Sequence, residues 1–288
     1  MFARPHHEAI YAQARYVDIG FDVRDLDAEC GFLEHLSRHL GRGPLNSFLE
    51  ACCGPGYHLH QFAVHGTRAY GTESNRTMVA YAGEKAHRLA ESAGFAASPS
   101  GGNLGENDLA TPPLGRILEA GPREMTLPEA VDLAFMPWPK LGYLLKDDEV
   151  IEHLVTVAKN VGRGGLYVVE LDHPAPMFGY TDRGKHQWVN KQGETRVAVQ
   201  WGSGEELIDP LTHTADVEVT LEVTEKRATE TFRDSAPMRR FTHRELRALV
   251  RLSGAFDWVA TFGDLILTQP FDLSEGARRM VPVLRCSM

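Results

Sequence analysis

The chain has 288 residues and a formal net charge of −9, so it can bury a core as one large domain or as one domain with a substantial insertion. Its basic residues are scattered rather than arranged in a stripe, which argues against a general nucleic-acid binder. No apolar run approaches the roughly 20 residues that a membrane helix needs, and no apolar signal core is visible. We therefore expect a cytoplasmic protein with neither a membrane nor a nucleic-acid partner.

The four cysteines form no C-x-x-C pair, and the sequence shows no triad of metal ligands. Cys52 and Cys53 are adjacent among small residues, and we interpret them as fillers of a tight turn. The sequence thus predicts neither a metal site nor a disulfide framework.

Residues 1–45 are predicted to form an N-terminal helical cap. Apolar residues from Leu26 to Leu40 recur at helical spacing, and Gly41 is a typical helix stop. Tyr16 precedes this helix, and it is either ordinary packing or a lid residue over a ligand.

A glycine turn lies in the stretch 47–57. An apolar strand-like run ends in Glu50, and Gly54-Pro55-Gly56 follows before a helix-like segment. Such a turn lets a ligand approach bare backbone at the carboxyl end of a strand. Glu73 closes a second strand-like run, at the interval where an acid that binds ribose hydroxyls is expected. These features predict a nucleoside site.

Strands and helices alternate along most of the chain, which predicts an α/β fold with a doubly wound, mostly parallel sheet of seven strands. Strands are expected at 46–52, 68–72, 116–120, 131–136 and 165–171, and helices at 56–65, 76–93 and 147–161. Chain breakers in 95–115 predict an irregular loop before the third strand. Gly162 is expected to stop the third of these helices.

Residues 180–235 break this pattern, because polar and apolar residues alternate there without helices. We interpret them as an antiparallel β insertion between 46–179 and 236–288, which together would form the nucleoside-binding domain. After it, Thr242 and Glu245 form a capping box with Phe241 and Leu246 as a hydrophobic staple. Strands are expected at 258–262 and 280–284, and the last would close the sheet as an antiparallel strand.

The choice of nucleoside depends on the residue after the glycine turn. A dinucleotide fingerprint needs a third glycine three residues after the second, and that position is Leu59. This departure argues against a nicotinamide or flavin oxidoreductase, which is the first competing hypothesis.

Four segments resemble the motifs of class I S-adenosylmethionine-dependent methyltransferases, namely 49–56, 70–78, 131–135 and 164–170. The resemblance covers most of the chain and implies a Rossmann-like methyltransferase fold. It also implies S-adenosyl-L-methionine as the cofactor and S-adenosyl-L-homocysteine as the product.

The resemblance assigns cofactor roles by position. Glu50 would lie near the methionine moiety, Glu73 would hold the ribose hydroxyls, and Met136 would lie beside the sulfonium. In this interpretation the cofactor site comprises Tyr16, Glu50, Cys53, Gly54, Gly56, Glu73, Ser74, Asn75, Met78, Gly121, Pro122, Arg123 and Met136. The family usually has an aspartate after strand 3, where this chain has Gly121-Pro122-Arg123. Adenine would then be held by backbone or by Asn107 or Asp108.

Methyl transfer from a sulfonium needs an in-line nucleophile, and an amine or hydroxyl nucleophile must also lose a proton. His173 is the leading candidate base and Tyr143 a second catalytic candidate, since both follow predicted strands. Trp138, Glu170 and His186 are candidate substrate residues. Purely structural interpretations stay open for two of these residues. His173 could cap the turn before Pro174, and Trp138 could pack in the core.

The sequence therefore predicts a methyltransferase that acts on an N or O atom of a small molecule, with a place in secondary metabolism. The insertion resembles that of methyltransferases acting on amino sugars and amino acids, where it covers the acceptor and often forms a dimer contact. A homodimer is expected on that ground. The second competing hypothesis is a divergent protein of this fold that binds the cofactor without methyl transfer, or uses it for other chemistry.

Overall fold

The structure is a computed structural model that describes residues 7–92, 114–181, 184 and 186–288. Among these residues, no helix is both long and apolar enough to cross a membrane. No group of three or more His, Cys, Asp or Glu side chains in this part of the chain could hold a metal ion. The four cysteines are free.

Seven α-helices are found in the described part of the chain. They are α1 (Glu8–Tyr11), α2 (Ala14–Phe21), α3 (Leu26–Leu40), α4 (Tyr57–Val64), α5 (Arg76–Ser92), α6 (Asp147–Asn160) and α7 (His243–Ser253). The strands are β1 (Ser47–Glu50), β2 (Arg68–Glu73), β3 (Arg116–Glu119), β4 (Val131–Met136), β5 (Val161–Val169), β6 (Leu171–Asp172), β7 (Gln187–Gln192), β8 (Thr195–Trp201), β9 (Thr214–Glu225), β10 (Ala228–Arg239), β11 (Phe256–Phe262) and β12 (Arg279–Cys286).

The central sheet has the strand order β11-β12-β5-β4-β1-β2-β3, and the short β6 pairs with β12. Strands β1 to β5 are mutually parallel, whereas β12 is antiparallel to both of its neighbours, β5 and β11. The inner strands β1 and β4 and residues 165–169 of β5 are nearly fully buried, as expected when helices cover both faces of a sheet. The predicted doubly wound sheet of seven strands is confirmed.

Local signals position the flanking helices. The Asp25 carboxylate accepts a hydrogen bond from the Ala28 amide at 3.1 Å and so caps α3. At α7 the capping box of Thr242 and Glu245 forms as predicted. Phe241 and Leu246, the predicted staple, are both buried beneath this helix.

Strands β7 to β10 form a second, antiparallel sheet in the order β10-β9-β8-β7. Along β9 the residues alternate between buried and more exposed positions, because one face is covered and the other is wet. The covered face packs against α1 and α2, together with Tyr57, Met78 and Tyr143 from the central-sheet part of the chain. The antiparallel extension is confirmed, and its last strand continues to Arg239, beyond the expected boundary at 235.

Within the described part of the predicted cap, α1 and α2 join the core of the second sheet while α3 joins that of the central sheet. One expected boundary needs correction. Gly162 does not stop α6, because Val161 is already extended and β5 begins there, four residues earlier than expected at 165. The glycines at 162, 164 and 165 hid this strand start in the sequence. The division into three domains stays a prediction.

Candidate active site

A cavity of about 830 Å³ lies where β1, β2 and β4 end. The chain leaves β1 towards β2 and β3 on one side, while β4 and β5 extend the sheet on the other. This is the switch point where open α/β sheets bind ligands. The predicted site residues that line the cavity are Glu50, Cys53, Gly54, Glu73, Ser74, Asn75, Met78, Gly121, Pro122, Arg123, Trp138 and Tyr143.

The glycine turn forms the floor of this cavity. Gly54 and Gly56 have φ angles of 57° and 76°, in the left-handed region that glycine adopts without steric cost. A Cβ on Gly71 of β2 would lie 2.9 Å from the Cys53 Sγ, so the turn packs tightly against the neighbouring strand. Cys53 is buried, and burial raises its pKa well above the ordinary value. It therefore acts as the filler that the sequence suggested.

Glu73 ends β2 beside this turn. One carboxylate oxygen accepts a hydrogen bond from the Gly54 amide at 3.0 Å, and the other accepts one from the Asn75 amide at 2.9 Å. The Asn75 side chain in turn accepts from the Met78 amide at 3.0 Å, which holds the start of α5. Each carboxylate oxygen has a further lone pair, so a rigidly held acceptor pair remains available at the cavity wall.

Lys140 is a site residue that the sequence interpretation missed. It follows β4 in a 3-10 turn (Lys140–Tyr143), and its ammonium group donates a hydrogen bond to the Cys52 carbonyl. A Cβ on Gly54 would lie 3.7 Å from the Lys140 Nζ. A positive charge therefore adjoins the glycine turn. The only sequence signal was its position in the loop that follows β4, a strand that ends at the cavity.

Glu50 is fully buried at the end of β1. Its oxygens accept hydrogen bonds from the His58 Nδ1 at 3.1 Å and from the Leu59 amide at 2.8 Å. Burial alone would raise the pKa of Glu50, but the hydrogen bond and charge of His58 and the Leu59 amide hold it below its ordinary value. Glu50 thus fixes the turn to the start of α4.

The contacts of Glu50 continue as a buried ion chain, by which we mean Glu50, His58, Glu29, Arg24 and Glu170. The His58 Nε2 donates to Glu29 at 2.8 Å, and Arg24 donates to Glu29 at 2.7 Å and to Glu170 at 2.8 Å. Burial would lower the pKa of His58, but its two carboxylate partners raise it above its ordinary value. Both ring nitrogens face carboxylates whose pKa is lowered, and ionised carboxylates can only accept, so both nitrogens carry a hydrogen and His58 is an imidazolium.

Trp138 follows β4 at the other end of the ion chain. Its amide donates to Glu170 at 2.9 Å, and the Arg24 guanidinium lies 5.0 Å from the centre of its ring. Its φ angle of 62° is unusual for a large side chain. Phe21 packs edge-on against the ring at 5.3 Å. Trp138 is thus held in a strained conformation at the cavity wall, as is common at ligand sites.

Tyr143 belongs to a second buried chain, the tyrosine–histidine chain, which consists of Tyr11, Tyr143 and His7. The Tyr143 hydroxyl lies 2.6 Å from the His7 Nδ1 and 3.3 Å from the Tyr11 hydroxyl. Tyr11 and Tyr143 both line the cavity. Burial raises the pKa of both phenols, so both stay protonated at neutral pH. The sequence interpretation found Tyr143 but missed its two partners.

No protein-family model matches the chain, and no curated protein matches it. Solved structures do match over nearly its whole length. A S-adenosylmethionine-dependent methyltransferase from Clostridium acetobutylicum is 10% identical at a TM-score of 0.68, covering 95% of this chain and 97% of its own. DesVI from Streptomyces venezuelae is 18% identical at a TM-score of 0.66, and the match covers 91% of this chain and 92% of DesVI. The sugar N-methyltransferase KedS8 from Streptoalloteichus is 17% identical at a TM-score of 0.62, and the match covers 92% of this chain and 89% of KedS8.

The chain has the S-adenosylmethionine-dependent methyltransferase fold. The fold implied by the motif resemblance is therefore confirmed, including the antiparallel extension. In this methyltransferase fold the glycine turn, Glu73 and Trp138 come from three different strand ends and meet at one cavity.

Two predicted residues lie in the methyltransferase fold away from this cavity. The Tyr16 hydroxyl donates to Glu225 at 3.4 Å and its ring packs against Phe232, so it faces the second sheet. Met136 is 1% exposed in the core, where the Tyr167 hydroxyl contacts its sulfur at 3.7 Å. Gly56 also does not line the cavity, because it begins α4 behind the turn.

His173, the leading candidate base, lies at a separate cavity of about 100 Å³. Its Nδ1 accepts a hydrogen bond from the Ala175 amide at 3.1 Å, and its Nε2 donates to the Asp272 carbonyl at 3.1 Å. The prediction of a base is therefore unsupported, and the geometry fits the alternative that His173 caps the turn before Pro174. Both ring nitrogens are engaged at loop backbone, which leaves neither aimed at the larger cavity.

The predictions for two of the three candidate substrate residues, His186 and Glu170, also need correction. His186 lines the smaller cavity and is hydrogen-bonded through Nδ1 to the Trp201 carbonyl at 3.1 Å. Glu170 is buried, and its oxygens accept from Arg24, Arg279 and the Trp138 amide. Burial would raise the pKa of Glu170, but these two arginines lower it to about 2. Glu170 positions Trp138 instead of facing a substrate.

Gly121, Pro122 and Arg123 line the cavity as predicted, at its far end. Two acids that the sequence interpretation missed lie beside them, Glu119 and Glu124. Glu119 is the register partner of Glu73 across β2 and β3. It was missed because it falls inside the strand predicted at 116–120, whereas the family pattern puts its acid after the strand; in the structure Glu119 is the last residue of β3. Asn107 and Asp108 lie outside the described residues.

Proposed function

We propose that this protein transfers a methyl group from S-adenosyl-L-methionine to an N or O atom of a small molecule. The observation that carries the proposal is the Glu73 carboxylate, which the amides of Gly54 and Asn75 hold at the wall of a cavity of about 830 Å³. A fixed acid beside a glycine turn is the arrangement that binds ribose hydroxyls in Rossmann-like folds. S-adenosyl-L-homocysteine is then the product.

The lining residues fit this cofactor. Glu73 would accept the ribose hydroxyls, the bare Gly54 backbone would allow close approach, and Met78 with Gly121 would border the adenine. When bound, S-adenosyl-L-methionine supplies an activated methyl group on its sulfonium. Because the turn is already held by Glu73, by Glu50 and by Lys140, little of the chain would need to move on binding.

The acceptor would occupy the part of the cavity walled by Tyr11, Tyr143, Trp138 and Trp201, with Glu8 at its edge. The volume lies within the range of about 300–1,000 Å³ that small-molecule sites occupy. Aromatic walls exclude water and position a nucleophile for in-line attack. Similar structures include a sugar N-methyltransferase and an amino pentose methyltransferase of calicheamicin biosynthesis, which supports an acceptor in secondary metabolism.

The cofactor proposal is tested by isothermal titration calorimetry with S-adenosyl-L-homocysteine. Loss of a hydrogen bond to a charged group costs about 1.5–3 kcal/mol, so Glu73→Gln should weaken binding by roughly ten- to hundredfold. Glu129→Gln is the matched control, since Glu129 accepts from Tyr70 at a distance from the cavity lining. Its affinity should equal that of the wild type. No binding by the wild type at tens of micromolar would overturn the proposal.

We also propose a cytoplasmic location and a homodimer. Free thiols in the described residues suit a reducing compartment. The antiparallel insertion is the candidate dimer contact that the family resemblance suggests. Analytical ultracentrifugation tests the dimer: a monomer at concentrations well above micromolar would exclude it.

A further inference from the structure

The tyrosine–histidine chain leads from the cavity into the core of the second sheet. His7 is 1% exposed, directly before α1, and it lies between the 3-10 turn that carries Tyr143 and strand β9. Its Nε2 is 2.9 Å from the Val217 carbonyl and its Nδ1 is 2.6 Å from the Tyr143 hydroxyl. Both ring nitrogens are therefore fixed by residues from distant parts of the sequence.

These contacts determine where the protons are. A carbonyl oxygen can only accept, so the His7 Nε2 must carry a hydrogen that it donates to Val217. Burial lowers the pKa of His7 below its ordinary value, which leaves the ring neutral and Nδ1 unprotonated at neutral pH. Nδ1 then accepts the hydroxyl hydrogen of Tyr143, and the bond between the two hydroxyls is donated by Tyr11.

The oxygen of Tyr11 is the cavity end of this ordered chain. Tyr11 lines the cavity together with Tyr143, and the charges that act on Tyr11 include Glu73 of the proposed cofactor site. We propose that the chain carries the proton of an amine or hydroxyl acceptor from Tyr11 through Tyr143 to the Nδ1 of His7. This inference rests on the proposed methyl transfer and adds the route by which the acceptor becomes a nucleophile.

The transfer balances without any further reactant. As the bond between carbon and sulfur breaks, its electron pair stays on sulfur, and the acceptor's lone pair forms the new bond to the methyl carbon. The acceptor proton passes to the Tyr11 oxygen, the Tyr11 proton to Tyr143, and the Tyr143 proton to His7. Both phenols end neutral and His7 ends as an imidazolium, which returns its proton to water by the same route after the product leaves.

The surroundings suit His7, and not the tyrosines, as the group that holds the charge. Burial raises the pKa of both phenols far above neutrality. The groups facing His7 are the Val217 carbonyl on β9, the Trp201 ring on β8 at 5.6 Å, Tyr143, and Asp234 on β10, whose charge favours the imidazolium. Asp234 is held in place by the Ala9 amide at 2.9 Å.

The direction of the chain can be tested without knowing the acceptor. The protein is labelled with ¹⁵N-histidine and studied by NMR from pH 5 to 9, with S-adenosyl-L-homocysteine present. The His7→Gln variant lacks the His7 signals and so identifies them. We expect His7 to be neutral with its hydrogen on Nε2. In Tyr143→Phe, the ¹⁵N chemical shift of Nδ1 should move towards the value of a nitrogen that accepts no hydrogen bond. Hydrogen on Nδ1 would overturn the proposal, because that nitrogen could then take no proton.

A second experiment measures methyl transfer from tritiated S-adenosyl-L-methionine to a panel of small amines and amino sugars. Tyr143→Phe and His7→Gln should lower kcat by roughly a hundredfold, the lower end for proton-transfer groups, with little change in cofactor KM. In the wild type, kcat should fall in acid as His7 becomes protonated, at a pH below the ordinary range of histidine because burial lowers the pKa of His7, and this fall should vanish in His7→Gln. Unchanged kcat and an unchanged profile in these variants would overturn the proposal.

Matched controls separate this role from a general loss of structure. Tyr70→Phe removes a hydroxyl that is bonded to Glu129, and His65→Gln replaces an exposed histidine; neither residue lines the cavity. Both controls should retain wild-type kcat. If S-adenosyl-L-homocysteine fails to bind, the proposed function fails, while the His7 tautomer is still measured. If the ligand binds and the tautomer is wrong, the proton route fails alone.

Discussion

Two buried hydrogen-bonded chains reach the same cavity, and they differ in charge. The ion chain joins the glycine turn at Glu50 to Trp138 through ionised side chains, and every charge in it faces an opposite charge. The tyrosine–histidine chain is neutral at rest. A chain of fixed charges holds geometry, because each ion needs its partner, whereas a neutral chain can move protons. We infer that the first chain shapes the site and that the second serves its chemistry.

Breaking the ion chain at Arg24 should have the largest effect on the comparison between the two chains. Arg24→Met would remove the cation that Glu29 and Glu170 share, whose side chain is only 3% exposed, and would leave them His58 and Arg279 as their remaining partners. Loss of one partner from a buried ion pair costs roughly 3–5 kcal/mol. We expect the free energy of unfolding, measured in urea, to fall by about that amount.

The control for this variant is Arg233→Met. Arg233 pairs with Glu218 at 3.5 Å on the second sheet, and both side chains are more than half exposed. Exposed pairs contribute about 0–1 kcal/mol. Equal losses in the two variants would mean that the ion chain contributes no more than a surface pair, and its assigned structural role would be wrong.

The ion chain should also make stability depend on acid pH. The pKa of Glu170 is lowered from 4.5 to about 2, so its contribution is complete above pH 4.5 and is lost as the pH falls towards 2. Linkage gives a loss of about 2 kcal/mol between pH 7 and pH 3 from this group. Urea unfolding at a series of pH values measures it.

A double variant, Arg24→Met with Glu170→Gln, provides the comparison for the acid dependence. It removes the titrating carboxylate together with its main partner. The free energy of unfolding that is lost between pH 7 and pH 3 should therefore be smaller than in the wild type by about 2 kcal/mol. The same acid slope in wild type and double variant would assign the loss to other carboxylates.

The two chains also differ in how far the sequence could predict them. The glycine turn, Glu73 and the sheet follow from local patterns, because glycines, strand-end acids and continuous apolar runs have meaning within a few residues. His7 and Tyr11 precede the first predicted strand by about 35 residues. Tyr11 reaches the cavity, and His7 reaches Tyr143, only because α1 and α2 pack onto the second sheet, and no local pattern encodes that contact.

The same limit explains the errors at the acceptor side. Glu170 and His173 follow a strand that ends near the cavity, so position alone favoured both as site residues. Arg24 and Arg279 engage Glu170 from segments far away in sequence, and the loop around Asp272 binds His173. Which strand-end side chain faces a ligand is decided by such distant partners, which a single sequence does not reveal.

The smallest expected effect comes from the neutral chain. Tyr11→Phe keeps the ring and removes a hydroxyl whose hydrogen bond to Tyr143 is 3.3 Å long, between two uncharged groups. A neutral hydrogen bond contributes about 0.5–1.5 kcal/mol. We expect a loss of unfolding free energy within that range in urea, and no change in its pH dependence between 5 and 9, because the raised pKa of Tyr11 keeps it protonated throughout. A loss as large as that of Arg24→Met would show that both chains stabilise the fold alike, and the separation between a chain that holds the site and a chain that moves protons would then fail.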